Sequence, residues 1–195
     1  TRDKIMGAGT TNSGILAGGG NYPNGTVACT ETWDGSSWSE EANMNYCTKY
    51  SGDAGDSSES MIVFGGEFAT PVSHYVSQAE EFDGTSWSEI SSLIYARTQI
   101  ASAGNSESAI AIAGLPTPGG HAPGNAFNTE EWNGTNWSNL PNTLMNPFHH
   151  TGGTGAGTTN DALAYGGYHK CKPSPYAAAW NSNSQHWDGS AFSFG

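Results

Sequence analysis

The sequence predicts an all-β fold made from four copies of one antiparallel sheet. Three observations predict it. A turn signature, Trp33-Asp34-Gly35-Ser36-Ser37-Trp38, returns as Phe82-Asp83-Gly84-Thr85-Ser86-Trp87 and as Trp132-Asn133-Gly134-Thr135-Asn136-Trp137. It returns once more, altered, as Trp187-Asp188-Gly189-Ser190-Ala191-Phe192, and the successive steps are 49, 50 and 55 residues. A second signature, an Ala-Gly pair leading into a short apolar run that ends in glycine, precedes each copy at steps of 46, 49 and 53 residues counted from Gly9. Two signatures that drift together mark a repeat. The third observation is composition: 27 of 195 residues are glycine, the apolar runs are short, and no long helical period is present.

Each repeat reads as four strands. Strand A precedes the Ala-Gly pair, over Arg2–Ala8, Thr48–Ala54, Arg97–Ala103 and His150–Ala156. Strand B is the apolar run, for example Met61-Ile62-Val63-Phe64, and its unbroken hydrophobicity fits a strand buried on both faces. Strand C carries Glu31-Thr32-Trp33, Glu80-Glu81-Phe82, Glu130-Glu131-Trp132 or Gln185-His186-Trp187. Strand D opens at Trp38, Trp87, Trp137 or Phe192, and the Asp-Gly or Asn-Gly between C and D supplies the positive φ of a hairpin.

A four-stranded unit of this size leaves one face unburied, and radial stacking of such units buries both. The expected architecture is therefore a four-bladed β-propeller in a single domain, with blades over residues 1–46, 47–95, 96–148 and 149–195. Trp33, Trp38, Phe82, Trp87, Trp132, Trp137, Trp187 and Phe192 are expected as wedges between blades. Every repeat runs A to D, so no early strand remains to complete the last blade. Closure then rests on blade 4 meeting blade 1, or the blades belong to a larger ring or assembly.

The double glycine after an apolar strand (Gly19-Gly20, Gly65-Gly66, Gly166-Gly167), followed by an aromatic and a Trp five residues beyond it, resembles the Kelch repeat. Gly114-Leu115 in the third repeat and Phe192 in the fourth depart from that pattern. The wording of the repeats, TEEWNGTNWS and GAGTTN…GG, is similar to Kelch-like repeats of structural and tail-fibre proteins of tailed bacteriophages. That resemblance implies a virion or extracellular location. It implies a non-enzymatic structural or receptor-binding role, exercised on other virion proteins or on a host-surface glycan. The alternative is an extracellular carbohydrate-binding, lectin-like propeller. A shared fold does not by itself fix a function.

The charge balance narrows the partners. Eighteen acidic residues against six Lys and Arg give a formal net charge of −12, which repels a phosphate backbone and disfavours nucleic acid. The apolar runs are too short for membrane insertion by a helix. A homo-oligomer or larger assembly is compatible with the repeat. Thr1 opens directly on repeat material, without an initiator Met or a signal peptide, which fits a segment of a longer or processed protein.

Chemistry-bearing residues are few. Copper oxidases share the Kelch-type scaffold, but their site needs a Cys–Tyr crosslink and a histidine pair. Cys29, Cys47 and Cys171 fall at unrelated repeat positions. They form no CxxC pair and are expected as buried free thiols, with a Cys29–Cys47 link open if the fold joins them. Glu80-Glu81 and Glu130-Glu131 resemble glycosidase carboxylates, yet they recur in register, which argues for a structural role such as accepting backbone hydrogen bonds. No GxSxG elbow or Walker loop occurs. Asn133-Gly134-Thr135 and Asn136-Trp137-Ser138 match the glycosylation sequon but sit in a turn that already favours Asn. No catalytic residue, metal site or cofactor is assigned.

The B–C connections vary most, and loops on a rigid scaffold are where binding residues collect. They hold Tyr22, His74, Tyr75, His121, Tyr168, His169, Tyr176 and Trp180, the candidate binding residues of one face. Aromatics beside Asn, Ser and Gly suit sugar rings. The competing expectation is that these rings pack their own loops. Lys170 and Lys172 in the last connection could meet an acidic neighbour.

Overall fold

The computed structural model describes residues 1–21, 23, 25–68, 74–116, 128–141, 156–169, 179–180 and 184–194, with the backbone alone at 156, 168, 169, 179 and 180. The described residues form an all-β protein. In chain order the first sheet and its ribbon comprise β1 (Met6–Thr10), β2 (Ser13–Ala17), β3 (Gly20–Asn21), β4 (Gly25–Thr26), β5 (Thr30–Trp33) and β6 (Trp38–Glu41). The second group is β7 (Gly52–Ser57), β8 (Ser60–Phe64), β9 (Glu67–Phe68), β10 (His74–Tyr75), β11 (Ala79–Phe82) and β12 (Trp87–Ile90). The third is β13 (Ala101–Gly104), β14 (Ala109–Ile112), β15 (Thr129–Trp132) and β16 (Trp137–Leu140). The fourth is β17 (Ala156–Thr158), β18 (Asp161–Tyr165), β19 (Tyr168–His169), β20 (Ala179–Trp180), β21 (Ser184–Trp187) and β22 (Phe192–Phe194).

Four sheets have four strands each, in the orders β1-β2-β5-β6, β7-β8-β11-β12, β13-β14-β15-β16 and β17-β18-β21-β22, all antiparallel. Three further two-stranded ribbons, β3-β4, β9-β10 and β19-β20, fill B–C connections that the sequence reads as loops. The expected closed ring of four blades is corrected here. First-strand contacts run from β1 to β7, from β7 to β13 and from β13 to β17, and no comparable contact returns from β17 to β1 among the described residues.

Strand A starts later than expected. β1 begins at Met6 rather than Arg2, β7 at Gly52 rather than Thr48 and β13 at Ala101 rather than Arg97, while the expected start of the fourth strand A, His150, lies outside the described residues. The reason is a kink at one repeat position, where Lys4, Tyr50 and Gln99 adopt φ of 56°, 56° and 58°. L-residues enter this left-handed region only when the surroundings hold them there. The holding bonds join repeats: Tyr50 N–H donates to the Lys4 carbonyl (3.3 Å), and Gln99 N–H to the Tyr50 carbonyl (2.7 Å).

The double glycine is also reassigned. Gly18 and Gly19 (φ 59° and 108°) match Gly65 and Gly66, so the pair is not Gly19-Gly20. In the third repeat the pair is Ala113-Gly114 (56° and 104°), so the departure from double glycine is an alanine held in a left-handed conformation.

The C–D turns follow one plan. The Oδ1 of Asp34 accepts the N–H groups of Ser36 (2.7 Å) and Ser37 (2.8 Å). Asp83, Asn133 and Asp188 do the same two and three residues ahead. The Asn133 side chain is thus engaged in its turn.

The core consists of three clusters, each formed by two neighbouring sheets. Met6, Ile15 and Ala17 meet Met61, Val63, Phe82 and Trp87. Ile62 and Phe64 meet Ala109, Ala111, Trp132 and Trp137. Ile110 and Ile112 meet Ala162, Ala164, Trp187 and Phe192. Alternate residues of strand B therefore face opposite neighbours, and β8 and β14 are buried along nearly their whole length. β18 instead alternates: Ala162 and Ala164 are buried, while Asp161, Leu163 and Tyr165 are exposed.

Candidate functional site

Two regions carry polar and aromatic chemistry among the described residues: the joints between sheets and the ribbon face that holds the candidate binding residues.

Phe82, Trp87, Trp132, Trp137, Trp187 and Phe192 are each at most 7% exposed and fill the joints. Paired rings stack at the mouth of each C–D hairpin, with centroids 5.3 Å apart for Phe82–Trp87 and 5.5 Å for Trp132–Trp137. Trp33 and Trp38 form the same pair at 5.5 Å, but Trp33 is half-buried and Trp38 is 49% exposed. These two were expected as wedges. They wedge nothing, because no sheet precedes the first one among the described residues.

Hydroxyl groups link the A–B turns of neighbouring sheets. Ser13 and Ser58 Oγ atoms lie 2.9 Å apart, Ser60 and Ser106 2.5 Å, and Ser108 Oγ and Thr159 Oγ1 2.8 Å. Asp53 on β7 adds a bridge in both directions, accepting Gly7 N–H and Ser102 Oγ–H. Burial pushes its carboxyl up to about 6, and the two hydrogen bonds only partly offset that.

The recurrent glutamates are absorbed into the joints. Glu80 accepts the backbone N–H groups of Asn45 (2.8 Å) and Tyr46 (3.1 Å) in the connection leaving the first sheet. Glu130 accepts Ile94 N–H (2.6 Å) and pairs with Arg97 Nη2 (2.9 Å), both side chains being fully buried. Arg97 also donates to the carbonyls of Ala113 and Asn128, and burial, countered by Glu130, lowers its guanidinium to about 10. Arg2 repeats the arrangement, donating to the carbonyls of Gly18 and Cys29 and to Glu31. The first recurring arginine position was not singled out from sequence. Its signal is an arginine that opens the expected strand A of the first and third repeats, Arg2 and Arg97, each with a glutamate at one position of its own strand C, Glu31 and Glu130.

On the ribbon face, the structure places His74 and Tyr75 on β10, opposite Phe68 and Glu67. The His74 and Phe68 rings lie 5.7 Å apart, and Phe68 contacts Tyr46 edge-on at 6.1 Å. Tyr46 Oη donates to Glu89 (2.6 Å). Phe68 and Tyr46 join this cluster although the sequence reading passed over them; Phe68 sits three residues beyond Gly65. Backbone pairing sets Tyr168 opposite Trp180 and His169 opposite Ala179. Tyr22, His121 and Tyr176, with Lys170, Lys172 and Cys171, lie outside the described residues.

Cys29 is exposed and Cys47 half-buried, both as free thiols, so the expectation of buried thiols is corrected at Cys29. Burial and the nearby Cys29 push the Cys47 thiol up. No group of three or more His, Cys, Asp or Glu side chains suited to a metal ion occurs among the described residues. No helix among them is long and apolar enough to cross a membrane. No known family model matches the chain, and no curated protein matches it either.

Proposed function

We propose that this protein is a non-enzymatic structural or receptor-binding module of a phage-like particle. In this reading its four-stranded sheets are blades of a Kelch-like propeller scaffold. The ribbon face makes protein–protein or protein–glycan contacts. The observation that carries the reading is a division of labour. The carboxylates that look catalytic in the sequence accept backbone N–H groups at the joints between sheets. Variation in length and in aromatic content is left to the B–C ribbons. The phage-like setting rests on the wording of the repeats alone. A lectin-like role is the second reading, favoured by the aromatic content of the longest B–C connection, which holds Tyr168, Tyr176 and Trp180 in sequence.

Mass spectrometry of intact source particles, together with a glycan array, tests both readings. A stoichiometric virion band with a silent array supports the structural role. Binding to one sugar class that is lost in Trp180→Ala supports the lectin. Substrate turnover at a joint carboxylate would overturn both.

A further inference from the structure

We propose that Cys29 and Cys47 are a redox pair that closes into a disulfide and clips the C–D hairpin of the first sheet to the connection that leaves it. The inference does not depend on the functional reading, since it asks for an oxidant and not for a particular partner.

Backbone bonds bring the two positions together. Cys29 ends the B–C connection just before β5, and Cys47 lies in the D–A connection between β6 and β7. Gly18 N–H donates to the Cys29 carbonyl (3.0 Å). The adjacent Gly19 N–H donates to the carbonyl of Thr48, the residue after Cys47 (2.8 Å). On the other side, Met44 N–H donates to the carbonyl of Ala28, the residue before Cys29 (2.9 Å). Both segments are thus held at one turn by bonds that need neither thiol. The side chains also sense each other: burial first, and Cys29 next, push the Cys47 thiol up.

The same bonds align the repeats. Gly65 N–H donates to the Gln78 carbonyl and Gly66 N–H to the Arg97 carbonyl. The second repeat therefore has Gln78 and Ala96 where the first has Cys29 and Cys47. Ala113 N–H donates to the Asn128 carbonyl, so the third has Asn128 at the first of these places. The scaffold needs no sulfur at either position. Yet two of the three cysteines of the chain fall together at the two positions of one repeat that the backbone joins.

The oxidant is a low-molecular-weight disulfide such as oxidised glutathione. The exposed thiol, Cys29, attacks one of its sulfurs as a thiolate, forming a mixed disulfide and releasing one small thiolate. Cys47 then gives up its proton and attacks Cys29 Sγ. The bond from Cys29 to the small thiol breaks, and the second small thiolate leaves. The two protein thiols lose two electrons, the small disulfide gains them, and two protons pass to the released thiolates. The closed loop, residues 29–47, holds β5, the Asp34 turn and β6, the last strand of its sheet. It also holds Asn45 and Tyr46, whose N–H groups Glu80 accepts at the first joint. A link there stabilises the hairpin and the seat of Glu80 together, by restricting the unfolded chain.

The test equilibrates the whole chain in glutathione buffers from fully reduced to mostly oxidised. The thiols of Cys29 and Cys47 are expected to disappear together. Digestion after Glu31, Glu40 and Glu41 separates the two cysteines, and mass spectrometry without reductant is expected to find one cross-linked peptide, joining Cys29 to Cys47. The thermal midpoint of the oxidised chain is expected roughly 5–10 °C above that of the reduced chain. Cys47→Ser is expected to abolish that difference, and the peptide map of the wild type decides the linkage without the variant. Cys29 and Cys47 still titratable at the oxidising limit overturn the proposal. So do glutathione adducts on both without a cross-link, or a cross-link from either to Cys171. A Cys29–Cys47 link that leaves the midpoint unmoved overturns its role as a clip.

Discussion

One substitution, made at two equivalent positions, is expected to act with opposite sign. Thr30 and Thr129 open β5 and β15 and are 1% and 0% exposed. Thr30 Oγ1 accepts the indole N–H of Trp87 from the next sheet. Thr129 holds the same place in β15, the position of the Trp87 indole is taken in the following sheet by Phe192, which has no donor, and the Thr129 hydroxyl is buried without a hydrogen-bond partner. Thr→Val removes the hydroxyl and keeps the shape. At Thr30 it orphans a buried indole N–H, a cost of about 1–3 kcal/mol. At Thr129 it removes a buried hydroxyl that bonds to nothing, and a gain of about 1 kcal/mol is expected. Urea denaturation at constant m reads both: the midpoint should fall for Thr30→Val and rise for Thr129→Val. Two midpoints that move in the same direction would refute the equivalence of the joints. The same logic explains the orphaned Nε1 of Trp137, because Ala79 stands where Thr30 stands in the previous joint.

Two further predictions concern the buried charges. Asp53 has a folded-state value of about 6 against 3.8 for the free group, so the fold holds the proton more tightly than the unfolded chain does. Relative to Asp53→Asn, the wild type should lose stability as pH rises from about 4 through 6 and stay level above that. The full shift corresponds to about 3 kcal/mol, and partial solvent access at this position reduces the expected difference to about 1–2 kcal/mol. Urea midpoints at pH 4 and pH 7 check this, and a difference that grows in the other direction would contradict it. Glu130→Gln leaves the fully buried Arg97 without its counter-charge. About 3–5 kcal/mol of stability should be lost, seen as a lower thermal midpoint. An Arg97→Met, Glu130→Gln pair should recover much of the loss.

The parts of the fold that were legible in the sequence are those written by local geometry. The C–D hairpins follow from Asp-Gly or Asn-Gly between aromatics, because that side chain and that φ build the turn without help from the rest of the chain. The continuous apolar runs of β8 and β14 likewise announce burial on two faces. What was not legible depends on partners distant in sequence. The late start of strand A comes from kinks held by bonds between repeats, as from Tyr50 to Lys4. In Gly18-Gly19-Gly20, composition alone cannot tell which two residues turn. The candidate site divides the same way: repetition in register identified Glu80 and Glu130 as structural, whereas the cluster of His74, Phe68 and Tyr46 requires a ribbon pairing that no periodicity announces.

The joints also explain how a repeat can diverge without losing its architecture. Each joint has the same places for a wedge, an acceptor and a hydroxyl bridge, but they are filled differently. The first joint keeps the indole–threonine bond and holds its acceptor, Glu80, with backbone N–H groups. The second loses the threonine to Ala79 and uses the Arg97–Glu130 pair instead. The third keeps the hydroxyl bridge of Ser108 and Thr159 and buries Trp187 against Ile110 and Ile112. Apolar burial contributes to all three and depends little on the identity of any one residue, so single polar links are free to change.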